Sequence, residues 1–230
     1  MPRRLECGRQ ARRTWPSWRA DVTALCTWLA AHGTSCLEAI AVFFGIVSVL
    51  LSVLENIWSW PTALINVALY TVLFYKTGLY SDMGLQVVYF ALSLYGWYEW
   101  LYGGKGHTAL AVSRTPRKVW TILIAVGVTF WAVDGYATSH LPHVALPYVD
   151  AGTTTVSLIA QYMMTRKYLE NWALWIGVDV VYVGMLMFKG LNLTAFNYAV
   201  YLGLAAMGLV TWRRSLRESE ASARAAEAAA

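Results

Sequence analysis

The residues that first suggest chemistry form a stripe on one apolar segment. Trp172, Trp175, Asp179 and Tyr182 recur at spacings of three, four and three. On a helix, at about 100° per residue, they fall within an arc of roughly 80°. Two indoles and a phenol offer flat faces, and such faces hold flat or cationic rings by stacking and cation–π attraction. Asp179 adds a carboxylate that takes a polar or positive group. A carboxylate in mid-span costs at least ~2.5 kcal/mol on insertion scales, so it should face the interior of a bundle with a partner. The plainer alternative is that Asp179 bonds a neighbouring helix and the tryptophans pack.

A second stripe has the same design. Gln86, Tyr89, Ser93, Trp97 and Trp100 share another arc of roughly 80°. Gln86 both donates and accepts, as a carboxamide or ribose requires. The alternatives are interhelical glue for Gln86 and an interfacial belt for Trp97 and Trp100. The belt is the expectation for Trp60, Trp100 and Trp212. A third face carries Asp150, Thr154, Ser157 and Gln161, which reads as a hydrophilic path or as small-residue packing. Asn66 and Tyr70 share an i, i+4 spacing with Asn197 and Tyr201, which suits a two-fold-related pocket. Asp134 is expected to be structural, Glu38 to reach an interface, and His140 and His143 to lie in an outer loop.

Several chemistries have no footing. The chain has no Gly-x-x-x-x-Gly-Lys-[Ser/Thr] loop, no His-Glu-x-x-His and no Gly-x-Ser-x-Gly. An enzyme is therefore not expected, and neither is a cofactor or a metal. No intramembrane acid and base pair suggests a proton relay. A uniporter or weakly coupled carrier fits better than a pump.

Composition says what must position these stripes. The 230 residues are 58% hydrophobic and only 13% charged, with mean hydropathy +0.45. A soluble domain is about 45–50% apolar and about 25% charged, so a membrane protein is indicated. The net charge of +5 sits between and beyond apolar stretches, which speaks for membrane orientation and against nucleic acid. Twelve Trp and fourteen Tyr exceed what lipid contact needs. Cys7, Cys26 and Cys36 are odd in number and lack metal-ligand spacing, so neither a disulfide framework nor a zinc site is expected.

Seven spans are predicted: Leu37–Leu54, Trp60–Tyr75, Met83–Leu101, Val119–Thr138, Tyr148–Met164, Trp172–Phe188 and Leu193–Thr211. Residues 1–36 form a basic arm or interfacial helix, with an extra span near Val22–Ala31 as an alternative. Residues 212–230 read as a fraying cytoplasmic helix. Lys105, Arg114, Arg117, Lys118, Arg166, Lys167, Arg213, Arg214 and Arg217 fall on one side, and Lys76 and Lys189 on the other. That asymmetry predicts a cytoplasmic C-terminus and, with seven spans, an N-terminus outside.

The chain also resembles itself. Glu55-Asn56 precedes Trp58 and Trp60, as Glu170-Asn171 precedes Trp172 and Trp175. Phe74-Tyr75-Lys76 matches Met187-Phe188-Lys189, and Gly96-x-x-x-Trp100 matches Gly208-x-x-x-Trp212. The expectation is a parallel 3+1+3 repeat of the SWEET type, with three-helix units at 37–101 and 148–211 and a linker helix at 119–138. Repeat-built transporters bind substrate near the midplane, where the repeats meet.

The residues that carry a family resemblance run in order from about Glu38 to Arg214. They include Trp60-Pro61, Phe74-Tyr75-Lys76, Gly78-Leu79-Tyr80, Gln86 and Tyr95-Gly96-Trp97-x-x-Trp100. They continue with Ala160-Gln161-Tyr162-Met163, Glu170-Asn171-Trp172-x-x-Trp175, Asp179-Val180-Val181-Tyr182 and Lys189-Gly190-Leu191. Together these resemble the PnuC family of bacterial nicotinamide riboside transporters. The resemblance implies a 3+1+3 inner-membrane protein, commonly a homotrimer. It implies facilitated uptake of an unphosphorylated vitamin that a cytoplasmic kinase then traps. It implies substrate contacts from Trp172 and Trp175, with Gln86, Tyr89, Gln161, Asp179 and Tyr182 beside them. The family's first-repeat Trp-x-x-Trp reads here as Trp58-Ser59-Trp60, which leaves Trp58 outside the pattern. Relatives of the family carry thiamine or riboflavin, which remain alternatives. Trp172→Ala is expected to weaken binding and to leave assembly intact.

Overall fold

The computed structural model describes residues 24, 26–27, 35–78, 80–104, 106–140, 146–188 and 192–229. Most of the basic arm lies outside them, as do Lys105, His143 and Lys189. The described residues hold seven helices: α1 Cys36–Val53, α2 Ser59–Thr77, α3 Tyr80–Tyr102, α4 Arg117–Ser139, α5 Pro147–Thr165, α6 Asn171–Phe188 and α7 Asn192–Ala229. Each predicted span becomes a helix. All its ends fall within three residues of the prediction except the last, because α7 does not stop at the membrane. Its Ala-, Glu- and Arg-rich tail has high helix propensity and extends the helix to 38 residues.

Local chemistry sets the boundaries. Ser35 Oγ accepts from the Glu38 N–H at 3.1 Å and starts α1. Gly78 closes α2 in the left-handed region at φ 75°. Pro147 opens α5, where its missing N–H is not needed. One expectation fails near α1. Cys26 and Cys36 form a disulfide, with Cα atoms 5.3 Å apart. Counting cysteines could not show that two of three would be brought together.

By length and composition, four helices are apolar enough to cross a membrane: α1, α4, α6 and the first part of α7. Helices α2, α3 and α5 have comparable lengths of 19, 23 and 19 residues. Their lower hydropathy comes from inward polar groups such as Asn66, Gln86, Ser157 and Gln161, which line a cavity described below.

The packing is regular. Helix α2 lies between α1 and α3, and α6 lies between α5 and α7. The two groups meet where α1 contacts α7 and where α3 contacts α5. Among the described residues, helix α4 packs on α5 alone. Gly127 and Gly135 make that contact close: a Cβ on either would strike Ile159 or Tyr148.

Four tryptophans form the centre of the core. Trp60 meets Trp100 edge-on at 5.3 Å and 89°, and Trp172 meets Trp212 edge-on at 5.4 Å and 88°. Trp100 and Trp212 join the two pairs at 5.9 Å. Trp100 Nε1 donates to Met164 O at 3.1 Å, and Trp212 Nε1 donates to Ser52 O at 3.0 Å. These findings overturn the belt expectation for Trp60, Trp100 and Trp212. All three are buried; carbonyls from the opposite three-helix group take up the N–H of Trp100 and Trp212, while that of Trp60 has no acceptor among the described residues.

The matching contacts follow one offset. Trp60 and Trp172, Trp100 and Trp212, Ser52 and Met164, and Gly96 and Gly208 are each 112 residues apart. A Cβ on Gly96 would enter the Trp60 ring, and one on Gly208 would enter the Trp172 ring. Glu55 and Lys167 obey the same offset and bond to each other at 3.1 Å. Both are non-glycine residues with positive φ, 54° and 49°. Three pairings expected from sequence fall outside this offset, among them Phe74-Tyr75-Lys76 with Met187-Phe188-Lys189, which are 113 residues apart. Glu55 corresponds to Lys167 and not to Glu170, whose carboxylate instead accepts from Thr115 N and Oγ1 at 3.0 and 2.7 Å. Tyr70 corresponds to Tyr182 and Tyr89 to Tyr201, so Asn66 and Asn197 are not counterparts.

Charge divides the ends of the bundle. Arg114, Arg117, Lys118, Arg166, Lys167, Arg213, Arg214 and Arg217 gather at one end, here termed the basic end. Asp82, Asp134 and Asp150 start or finish helices at the other.

Candidate functional site

A cavity of about 440 Å³ runs between the two three-helix groups, lined from α1, α2, α3, α5, α6 and α7 but not from α4. It reaches Phe74 and Asp82 towards the acidic end. Towards the basic end its lining stops at Ser52, Ser59, Trp60, Met164 and Trp172. Trp100, Trp212 and the Glu55–Lys167 bond lie further along the helices and close that side. Lys167 Nζ also sits 4.4 Å from the Trp100 ring. Beside this pair, Arg166 bonds Glu99 at 2.6 Å and donates to Tyr95 Oη at 3.2 Å.

Helix periodicity explains why these side chains converge. Trp172, Trp175, Asp179 and Tyr182 line the cavity from α6, and Gln86, Tyr89 and Ser93 line it from α3. Gln161 enters from α5, Asn66 from α2 and Asn197 from α7. The structure thus gathers nine of the ten residues singled out as contacts. Trp97 is the exception: it packs against the buried core cluster and is not among the lining residues. On α5, Ser157 and Gln161 reach the cavity, whereas Asp150 is exposed at the helix start. Trp58 is exposed and lies outside the lining.

The cavity combines three kinds of group. Its aromatic walls include Trp60, Trp172, Trp175, Tyr182 and Tyr198, the last two stacked at 4.7 Å and 24°. Its neutral polar groups include Gln86, Gln161 and Asn197. Its acids are Asp82, exposed towards the acidic end, and Asp179, which is buried and makes no hydrogen bond or ion pair among the described residues. Asn66 is partly committed, since Nδ2 donates to Ala41 O at 2.6 Å. Gly45 allows this approach: a Cβ there would lie 2.9 Å from Asn66 Nδ2 and 2.6 Å from Tyr201 Oη. The indole N–H groups of Trp60 and Trp172 are buried and lack acceptors among the described residues.

Sequence reasoning missed Trp60 and Tyr198 as lining residues. The constant offset of 112 would have found Trp60 as the counterpart of Trp172. Nothing about Tyr198 alone distinguishes it from Tyr201. Among the described residues, no three His, Cys, Asp or Glu side chains stand close enough to hold a metal ion.

Comparison with known proteins agrees with this architecture. A family model described as nicotinamide mononucleotide transporter matches residues 35–214. The chain is 29% identical to the nicotinamide riboside transporter PnuC of Escherichia coli (strain K12), over 81% of this chain and 89% of that protein. It is also 29% identical to the riboflavin/roseoflavin transporter RibM of Streptomyces davaonensis, over 76% of this chain and 84% of that one. A crystal structure of the vitamin B3 transporter PnuC superposes with a TM-score of 0.64 at 24% identity, covering 89% of this chain and 94% of the other.

Proposed function

The chain belongs to the nicotinamide mononucleotide transporter family, and on that premise we propose that it carries nicotinamide riboside across the bacterial inner membrane by facilitated diffusion. One observation carries the reading. A cavity between the two helix groups joins stacking rings, carboxamides and one buried, unpartnered carboxylate, Asp179. Its volume of about 440 Å³ lies within the ~300–1,000 Å³ of small-molecule sites. Trp172, Trp175 and Tyr182 hold the flat pyridinium ring, and Asp179 offsets its positive charge. Gln86, Tyr89, Gln161 and Asn197 take the carboxamide and ribose, with Asn66 beside them.

The architecture we propose is seven membrane spans in a parallel 3+1+3 repeat of the SWEET type, with α4 as the linker. The constant 112-residue offset and the paired contacts α1–α7 and α3–α5 support it. We place the basic end in the cytoplasm. The excess of Arg and Lys there favours this, and so does the Cys26–Cys36 disulfide beside α1 at the opposite end, since disulfides persist in oxidising compartments. In that orientation the cavity extends towards the outside and the tryptophan core closes the inside. The reading includes a homotrimer. It also includes a cytoplasmic kinase that traps the vitamin, because a facilitator supplies no driving force of its own.

A second reading is supported by the riboflavin transporter among the relatives: the stacking walls also suit a flavin, and thiamine is a further cationic candidate. Binding of nicotinamide riboside, thiamine, riboflavin and a sugar to the purified protein decides between them. Selective binding of nicotinamide riboside is expected. Tighter binding of riboflavin or thiamine reassigns the substrate, and binding of no vitamin refutes transport of this class.

A further inference from the structure

A second cavity, of about 330 Å³, lies at the basic end and is separate from the first. Three elements build it: the connection before α4, the start of α6 and the part of α7 that continues past the core. Its cationic groups are Arg114, Arg213 and Arg217, and its acids are Glu170 and Glu220. Its base is apolar, formed in part by Leu209 and Leu216.

The wall is held in place by structure that the first cavity does not need. Ser113 N donates to Lys167 O at 3.1 Å, and Leu169 N donates to Ser113 O at 2.9 Å. Glu170 accepts twice from Thr115, as described above. The carboxylate of Glu170 is therefore turned to the loop, where one oxygen accepts both hydrogen bonds. Arg114, Arg213 and Arg217 form no ion pair among the described residues. Three exposed guanidinium groups against Glu170 and Glu220 leave the lining with a net charge of +1. Guanidinium groups form charge-assisted, often bidentate, bonds to phosphate oxygens.

The depth of the site matters as much as its charge. On α7, Met207 and Val210 are exposed apolar residues that suit lipid contact, whereas Arg213 and Arg217 follow within two turns. The cavity therefore lies where hydrocarbon gives way to headgroups. Basic pockets between membrane helices at that level suit anionic headgroups. We propose that this cavity binds a phosphate group, with an apolar base for the part of the ligand that adjoins it. Two sources share that chemistry: an anionic phospholipid headgroup and a free phosphate.

The test uses the purified full chain in zwitterionic detergent. Phosphatidylglycerol, phosphatidylcholine and inorganic phosphate are added separately, and thermal stability and lipid retention by native mass spectrometry are recorded. R213Q/R217Q removes two cavity arginines. R214Q/R224Q removes two exposed arginines of the same helix that do not line the cavity, so it has the same net charge. Stabilisation by phosphatidylglycerol but not phosphatidylcholine, weakened about tenfold in R213Q/R217Q and unchanged in R214Q/R224Q, supports a lipid site. The same pattern with inorganic phosphate supports a site for free phosphate. Equal loss in both double variants, or no stabilisation by either phosphate source, overturns the proposal. Vitamin binding in R213Q/R217Q is expected to stay at the unmodified level, which also shows that the variant is folded.

Discussion

Exchanging Glu55 and Lys167 tests whether the closed end of the cavity rests on a two-fold arrangement. The Lys167 side chain is 8% exposed and that of Glu55 is 22% exposed, at 3.1 Å. Removing one partner of a buried ion pair costs about 3–5 kcal/mol, because the other charge stays buried. Glu55 is the more exposed partner, and the Trp100 ring at 4.4 Å still faces the ammonium, so Glu55→Gln should fall near the lower limit. With a chain of this size, about 3 kcal/mol corresponds to a Tm lower by about 6–12 °C. Lys167→Met should cost less, since it leaves no buried cation. The double exchange E55K/K167E is the informative variant. Both positions already hold non-glycine residues at similar positive φ, and they are counterparts at the 112-residue offset. A lysine at 55 then meets the carboxylate at 167 and lies over Trp212, as Lys167 now lies over Trp100. The exchange is expected to recover more than half of the Tm lost in E55Q, read by thermal unfolding of the detergent-solubilised protein. If E55K/K167E is as unstable as the sum of E55K and K167E, the two positions are not equivalent and the reasoning fails.

The remaining predictions concern the core and the first cavity. Trp172→Ala was expected from sequence to leave assembly intact, but Trp172 is 1% exposed and packs on Trp212. It should destabilise by about 3–5 kcal/mol and reduce the yield of monodisperse protein in size-exclusion chromatography. Trp175→Ala is the cleaner probe, since Trp175 is only partly buried; it should keep a near-normal elution profile and weaken vitamin binding about tenfold by calorimetry. Asp179→Asn should weaken a cationic vitamin more than riboflavin; equal effects on both would remove Asp179 from charge recognition. Gly208→Val and Gly96→Val should each destabilise by more than about 1–3 kcal/mol, since the added atoms enter an indole ring. A Tm within a degree of the parent for either would contradict the packing.

Much of this protein was legible before any coordinates. Seven long, largely apolar segments predict seven helices, because a helix in a membrane must satisfy its own backbone and needs about 20 residues to cross, and four of the helices found are apolar enough to do so. The 3.6-residue period places Trp172, Trp175, Asp179 and Tyr182 on one face, and the expense of a bare carboxylate in lipid turns that face inward. The period does not say how deep a residue lies or what stands opposite. Trp60, Trp100 and Trp212 sit near the ends of the predicted spans, where an interfacial belt and a buried core look alike in sequence. Only packing showed that Met164 O and Ser52 O accept from the Trp100 and Trp212 indoles and make burial affordable. Trp97 shares the arc of Gln86, but it lies a turn beyond Ser93, past the point where the tryptophan core closes the cavity. The register of the two halves was likewise hidden, because short motifs matched at offsets a few residues apart. The reciprocal bonds of Trp100 to Met164 O and of Trp212 to Ser52 O share one offset, and the same offset sets Glu55 against Lys167. The sequence by itself determined which faces turn inward, since that choice is local and is made helix by helix. Tertiary structure decided which inward residues border a cavity and which form its closed end, since both depend on contacts between segments more than a hundred residues apart.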